Sequence, residues 1–391
     1  MPRIPKHIDA FFADITQKII EETETNLSPE ATRSTDAWRR FPEAPDPRSP
    51  FALDRDRILY SGAFRRYAGK TQVIYFASVL DEMLTSRIIH TLSVSQVART
   101  IGKFLRLNQE LIDAIALSHD LGHSPFGHDG EKFLSEICEE HGIGQYHHHI
   151  QSLHIVDRVA KRGRGLNLTF QVRDGILSHD GEVHNQQLVP QRNKTEEDLQ
   201  QYIRRKKAGE NVEMMPATME GCVMRISDTI AYIGQDIEDA IRIGIIKRED
   251  IPKELQEKLG RTNGEIMDVL IKDVIYNSFE KPYVCFSEDI SDALLQLKRF
   301  NYEKIYYNPR IKRDHDKIQR GFRILFDHFL NDLKNNRKES RIFKDFLATK
   351  VPEYWETTSD AEKVRDFIGG MTDRYFVEVL KEVTVPEMKL L

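Results

Sequence analysis

Cysteine is scarce in this chain, and the three present, Cys138, Cys222 and Cys285, are scattered rather than paired in spacing. That excludes a disulfide framework and a zinc ribbon, and it fits a reducing compartment. No run of eighteen apolar residues occurs, so nothing reads as a membrane-spanning helix. The text MPRIPKHIDAFFADI lacks the apolar core of a signal peptide, and a cytoplasmic protein with no membrane partner is expected. An excess of positive charge is missing too. With 57 Lys and Arg against 62 Asp and Glu, the net charge is −5, which gives no general attraction to nucleic acid. There is no solenoid-type repeat. Strand-like text is confined to TQVIYFA (71–77), which predicts one small β-hairpin.

What is present is 40% hydrophobic and 30% charged residues over a length of 391, enough for a large core. Residues 1–26 read as an amphipathic helix. A proline-rich arm follows, RRFPEAPDPRSPFAL (39–53), whose four prolines forbid a continuous helix. From Asp81 helical periodicity dominates, with helices expected at 285–305, 310–335 and 358–382. A polar stretch at 182–216 carries the basic run Arg204–Lys207, read mainly as a solvated helix and loop, with a polyanion or subunit contact as the other reading.

The densest chemistry lies in SHDLGHSPFGHDGE (118–131), where His119, Asp120, His123, His128, Asp129 and Glu131 fall within fourteen residues. An adjacent His–Asp pair offers an imidazole nitrogen and a carboxylate oxygen to one cation, a mix that suits Mn, Fe, Mg or Zn. Upstream, SRIIHTLSVSQVARTIGKFL reads as a helix carrying Arg87 and His90, with Ile88, Ile89, Leu92, Val97, Ile101 and Phe104 as its apolar face. Downstream, VMRISDTIAYIGQDIEDAI reads as a buried helix on which Asp228, Tyr232 and Asp236 share one stripe at i, i+4 and i+8. A carboxylate in so apolar a segment needs a cation or a donor to meet it.

The order His90, His119–Asp120, Asp228 resembles the H…HD…D set of the HD-domain metal-dependent phosphohydrolases. Six collinear blocks between Asp54 and Ala240, about half of the chain, narrow the resemblance. They are DRDRILYSGAFRRYAGKTQV, SRIIHTLSVSQVARTI, SHDLGHSPFGHDGE, HHIQSLHIV, FQVRDGILSHDGE and SDTIAYIGQDIEDA. Together they look like the deoxynucleoside triphosphate (dNTP) triphosphohydrolases of the bacterial dGTPase-like group.

The resemblance implies a mainly α HD-domain phosphohydrolase fold with a small β-hairpin and a helical C-terminal extension. The expected divisions are 1–53 (N-terminal helix and arm), 54–245 (HD core) and 246–391 (C-terminal extension). One divalent metal ion per subunit (Mg, Mn or Fe) is expected on His90, His119, Asp120 and Asp228. His128 with Glu131, and His148 of the H-x-x-Q-S pattern, match the catalytic positions that assist attack on the α-phosphorus. Arg87 matches a phosphate contact, Gln72 and Asp236 match contacts to the sugar 3′-hydroxyl, and Tyr232 matches the ring that excludes a 2′-hydroxyl. His123 is expected to support a ligand. His147 and His149 are expected at an exposed helix start, and His154, His179 and His184 receive no catalytic role.

Thr229 departs from relatives that carry a lysine after the metal aspartate, so one triphosphate contact must come from elsewhere or be absent. Arg55, Arg57, Arg65, Arg66 and Lys70 could recognise phosphate or pair with nearby acids. The products implied are a deoxynucleoside and inorganic triphosphate. A homo-oligomer (tetramer or hexamer) and a nucleotide activator are the further partners implied, and nucleic acid is weakly supported. The alternatives are an HD phosphohydrolase for another nucleotide, or a nucleotide or single-stranded nucleic-acid sensor with weak turnover.

Overall fold

The computed structural model of the chain describes residues 6–44, 46–75, 83–181, 187–312 and 314–386. The longer helices are α1 (Lys6–Glu24), α2 (Pro50–Leu59), α3 (Arg87–Phe104), α4 (Gln109–Ser118), α5 (Gly127–Glu140), α6 (His148–His154), α7 (Phe170–Ser178) and α8 (Glu196–Lys207). They continue as α9 (Met219–Ile233), α10 (Gln235–Arg242), α11 (Asn263–Ser278), α12 (Glu288–Asn301), α13 (His315–Lys334), α14 (Asp360–Gly369) and α15 (Asp373–Thr384). The fold is mainly helical. No helix among the described residues is long and apolar enough to cross a membrane.

Two apolar cores organise the helices. One joins α2, α4, α5, α6 and α7 to the C-terminal α13, α14 and α15 through Phe51, Ile115, Phe133, Phe322, Phe367 and Phe376. The other joins α3, α9, α10, α11 and α12 through Ile101, Ile226, Ile237, Leu270 and Leu294. Residues 246–311 therefore share the second core with α3 and α9, while 315–382 share the first with α5 and α6.

Several local expectations are corrected. Residues 71–75 form no hairpin strand; Thr71 makes a single antiparallel bridge to Ser86, and residues 76 and 77 lie outside the described residues. The reason is a competing acceptor: Asp373 takes the Thr71 amide (3.0 Å) and its hydroxyl. The proline-rich arm ends earlier than expected, because Pro50 is the first residue of α2, where a missing N–H costs nothing. The expected helix 358–382 is two, α14 and α15, broken at Gly370 and restarted by Thr372, whose hydroxyl accepts the Tyr375 amide. On α3, Ile89, Leu92 and Phe104 face solvent, while Arg87, His90, Thr91 and Ser95 are buried. That helix turns a polar face inward. Arg204–Lys207 form the last turn of α8, where basic side chains suit the helix dipole; Arg204 and Arg205 pair locally with Glu197 and Glu210.

The joint between α6 and α14 is polar and buried. The Asp366 carboxylate accepts from Gln151 (2.9 Å), His154 (2.9 Å), Tyr354 (2.7 Å) and Arg365 (2.9 Å). Burial opposes its ionisation, but Arg365 and His154 outweigh that and hold the carboxyl well below the usual range. Asp366→Ala leaves the buried Arg365 with only Glu362, at 3.8 Å, and takes the acceptor from Gln151 and Tyr354, so a loss of about 2–4 kcal/mol in urea unfolding is expected. Because the folded value is depressed, this contribution is present above the ordinary carboxylate range and fades as the pH falls through it toward the folded value.

Candidate active site

His119 ends α4, and its Nδ1 donates to the Ala116 carbonyl at 2.7 Å. That bond holds the ring with Nε2 turned toward the carboxylates, and this buried atom has no hydrogen-bond partner. Asp120 Oδ2 lies 3.5 Å from it and Asp228 Oδ1 lies 3.9 Å from it. His90, reaching in from α3, places Nε2 3.0 Å from Asp228 Oδ1 and 3.9 Å from Asp120 Oδ2. The four predicted ligands thus converge from α3, α4 and α9. The C-terminus of α4, where backbone carbonyls concentrate negative potential, favours a cation at the same point.

The donor set fits a divalent ion. Burial raises the pKa of both carboxyls, yet the charges around them win. Asp120 is held well below its usual range by His119, His123 and Arg87, and Asp228 is held at about 2 by His90 and His119. Two carboxylates and an imidazole nitrogen with no hydrogen-bond partner make a donor set that fits a divalent cation. Asp120 is the hub: its Oδ2 takes the Arg87 guanidinium, and its Oδ1 faces His123 Nε2 at 3.2 Å, the supporting position expected for that histidine.

The turn that follows is shaped by its backbone. Gly122 passes so close to α6 that an added methyl would overlap the His148 carbonyl and the Ser152 amide. Its own N–H donates to Ser152 Oγ at 2.8 Å. Phe126 sits in the left-handed region (φ 62°), a strained position for a bulky residue. Its amide donates to Asp373 at 3.0 Å, and its ring is edge-on to Phe322 and Phe376. Gly127 (φ 58°) then opens α5, so His128 emerges on the first turn.

Glu131 joins two imidazoles. His128 Nδ1 lies 3.1 Å from one of its oxygens, and His148 Nδ1 lies 3.0 Å from the other. Burial opposes the Glu131 charge, but His148 and His128 hold the carboxyl well below the usual range. His148 Nε2 faces His179 Nε2 at 3.2 Å, and His179 Nδ1 already donates to Ile176 O. Both ring nitrogens of His148 therefore face acceptors, which makes it an imidazolium. Consistently, burial pulls its pKa down, but Glu131 dominates and pushes it up to about 9.

A cavity of about 380 Å³ gathers these groups. Gln72, Arg87, Tyr232 and Asp236 line it together with His90, Asp120, His128, His148 and Asp228, while His119 and Glu131 stand behind its wall. Gln72 Oε1 is buried without a donor. Asp236 accepts from Tyr306 at 2.6 Å, and burial raises its carboxyl to about 7 even though that hydrogen bond pulls the other way.

His179, given no catalytic role from the sequence, lines the cavity against His148 and the His119 ring. The signal was the second Ser-His-Asp: Ser178–Asp180 repeats Ser118–Asp120 at a helix end, with each histidine bonded to the carbonyl three residues back. His149 is buried rather than exposed, with Tyr202 3.3 Å from its Nε2. Tyr302, Tyr306, Tyr307 and Lys312 of the C-terminal region also line the cavity; a π-turn over Tyr302–Tyr306, following α12, presents the first two. None of Arg55, Arg57, Arg65, Arg66 and Lys70 reaches it. Arg57 pairs with Glu43 at 2.8 Å, and Lys70 donates to the Gly369 carbonyl at 2.9 Å. His184 lies outside the described residues.

Comparison with known proteins gives the family. The HD domain model matches residues 87–232, and the model of a phosphohydrolase-associated domain matches 284–382. A deoxyguanosinetriphosphate triphosphohydrolase-like protein from Caldanaerobacter subterraneus subsp. tengcongensis is 39% identical over 373 residues, 95% of this chain and 96% of its own. The chain belongs to the deoxyguanosinetriphosphate triphosphohydrolase-like family of HD-domain phosphohydrolases. Other family members are similar over nearly their whole length. The Desulfatibacillum aliphaticivorans protein is 37% identical, covering 92% of this chain and 95% of its own, and a Clostridium perfringens protein is 34% identical, covering 89% and 90%. Among solved structures, a hypothetical protein from Aquifex aeolicus aligns with 84% of this chain and 71% of its own at 18% identity and a TM-score of 0.36, too loose a likeness to argue from. Both matched domains reach the cavity: residues between 87 and 232 and those at 302–312 line it, together with Gln72, Val73, Tyr75 and Asp236 from outside the two matches.

Proposed function

We propose that this protein hydrolyses deoxynucleoside triphosphates to the deoxynucleoside and inorganic triphosphate. The observation that carries the reading is the convergence, on one cavity, of the His/Asp cluster, the His128–Glu131–His148 relay and the sugar-sized cluster of Gln72, Tyr232 and Asp236. The family relatives named for dGTP support the same substrate class.

His90, His119, Asp120 and Asp228 would hold one divalent ion, which supplies Lewis-acid charge neutralisation at the phosphoryl group and lowers the pKa of bound water. The chain's own groups do the rest. The His148 imidazolium offers positive charge and a proton, and Glu131 keeps it charged. His128 is the mobile partner: exposed, tethered only through Nδ1 to Glu131, and free to deliver a proton from Nε2 to the leaving 5′-oxygen. Tyr232 stands against the sugar and leaves no room for a 2′-hydroxyl. Gln72 Oε1 and Asp236 are acceptors for the 3′-hydroxyl, and a buried acceptor deprived of its donor costs about 1–3 kcal/mol.

Side-by-side rates on dGTP, GTP and dideoxy-GTP, with identification of the phosphate product, test the reading. Rapid release of triphosphate from dGTP, little turnover of GTP or dideoxy-GTP, and relaxed sugar choice in Tyr232→Ala are expected. Equal rates on dGTP and GTP would remove the deoxynucleotide assignment.

Asp236 adds a pH signature. Its carboxylate form accepts the 3′-hydroxyl, so KM for dGTP should fall as the pH rises through about 7. Tyr306 favours that ionised form by donating to it. Tyr306→Phe should therefore move the midpoint of the KM profile to higher pH, which steady-state kinetics across the neutral range will read. A midpoint that stays put would mean that Asp236 does not govern sugar binding.

A further inference from the structure

Four cationic groups face the cavity, and three are neutralised where they sit. Arg87 pairs with Asp120, His148 with Glu131 at 3.0 Å, and Lys312 with Asp129 at 2.7 Å. Arg225 is the exception. It is 3% exposed, and its guanidinium donates only to the carbonyls of Gly181 (3.3 Å) and Met214 (3.1 Å) and faces the Met215 sulfur at 3.8 Å. Among the described residues its second terminal nitrogen has no acceptor and no carboxylate pairs with it directly; the charges of Glu213 and Asp180 act on it only from a greater distance. A buried charge in that state is costly unless something of opposite sign meets it.

Position says where that partner comes from. Arg225 lies three residues before Asp228 and seven before Tyr232 on α9, spacings that put all three on one face. All three line the cavity, and Thr229, beside Asp228, brings no charge to it. Gly181, whose carbonyl Arg225 meets, and Asp180, whose carboxylate is taken by Lys206 at 3.4 Å, line the same cavity. The guanidinium is anchored through Nε on Gly181 and Nη1 on Met214, which leaves Nη2 as the donor for a phosphate oxygen.

We propose that Arg225 binds the phosphate chain of the substrate beyond the reacting phosphorus and holds the triphosphate product before release. The assignment rests on the triphosphohydrolase reading and names the residue that grips the polyphosphate tail. It accounts for a buried cation that the metal cluster and the His128–Glu131–His148 relay leave unused.

The test measures binding of magnesium tripolyphosphate and of deoxyguanosine, separately, to metal-loaded wild-type protein and to Arg225→Gln by titration calorimetry. The glutamine retains a donor for the Gly181 and Met214 carbonyls while removing the charge. Tripolyphosphate binding is expected to weaken by about tenfold or more and deoxyguanosine binding to change by less than about twofold. Gly181→Ala gives a second route if the glutamine variant fails to fold. A methyl there would overlap the guanidinium and displace it, and the same selective loss is expected. Wild-type protein that turns over dGTP, with variants that bind tripolyphosphate as tightly as wild type, would overturn the role of Arg225 and leave the function standing. Wild-type protein that neither binds tripolyphosphate nor turns over dGTP would overturn both.

Discussion

Asp228→Ala is expected to give a folded protein with no retained divalent metal and no measurable turnover. The choice of Asp228 over Asp120 matters. Asp120 is buried and is the counter-charge of Arg87, which is 1% exposed, so Asp120→Ala removes a ligand and also strands a buried cation. That second loss costs about 3–5 kcal/mol by itself and confuses metal loss with unfolding. The Asp228 side chain is 25% exposed and contacts His90 at 3.0 Å, and no arginine or lysine among the described residues pairs with it. Its removal takes one negative charge and one oxygen from a four-residue set that has few to spare. Elemental analysis of purified wild type and variant reads metal content, and a thermal melt confirms the fold. Full metal occupancy with normal dGTP turnover in Asp228→Ala would dismiss the ligand assignment. Asp120→Ala should lose metal as well, with a lowered melting temperature that Asp228→Ala does not share.

His128→Ala is expected to lower kcat by roughly two to four decades with KM little changed, as removal of a general acid does. The structure makes this a clean experiment. The His128 side chain is 75% exposed and bonds only to Glu131, so truncation leaves no cavity and strands no buried group. His148→Ala is not clean: that ring is buried, stacks on His123 at 4.1 Å and bonds to both Glu131 and His179, so stability falls along with rate. Glu131→Gln should reduce kcat in the same direction as His128→Ala but by less, since it removes the carboxylate that orients His128 and charges His148 and leaves both rings in place. An intact kcat with a raised KM in His128→Ala would make it a binding residue instead.

The sequence, through its resemblance to the HD-domain phosphohydrolases, marked which residues could gather round a cation. His90, His119, Asp120 and Asp228 each stand in helical text where an imidazole or carboxylate has no apolar role, and the structure brings the four together. The stripe of Asp228, Tyr232 and Asp236 was equally legible, since a period of 3.6 survives the small break at Gly234. Burial was not legible. Counting apolar residues on α3 chose Ile89 and Leu92 as its inner face, whereas a buried active site draws Arg87, His90 and Ser95 inward. The same rule hid His149 and His179, whose burial is set by helices distant in sequence and by an acceptor at the right distance. Only the tertiary structure decided that Tyr306, seventy residues beyond Asp236, would close one wall of the cavity, and that Asp373 would claim Thr71 and prevent a strand. Local text specifies what a residue can do, but long-range packing specifies which partner it meets, and both the buried polar bonds and the pKa values follow from the partner.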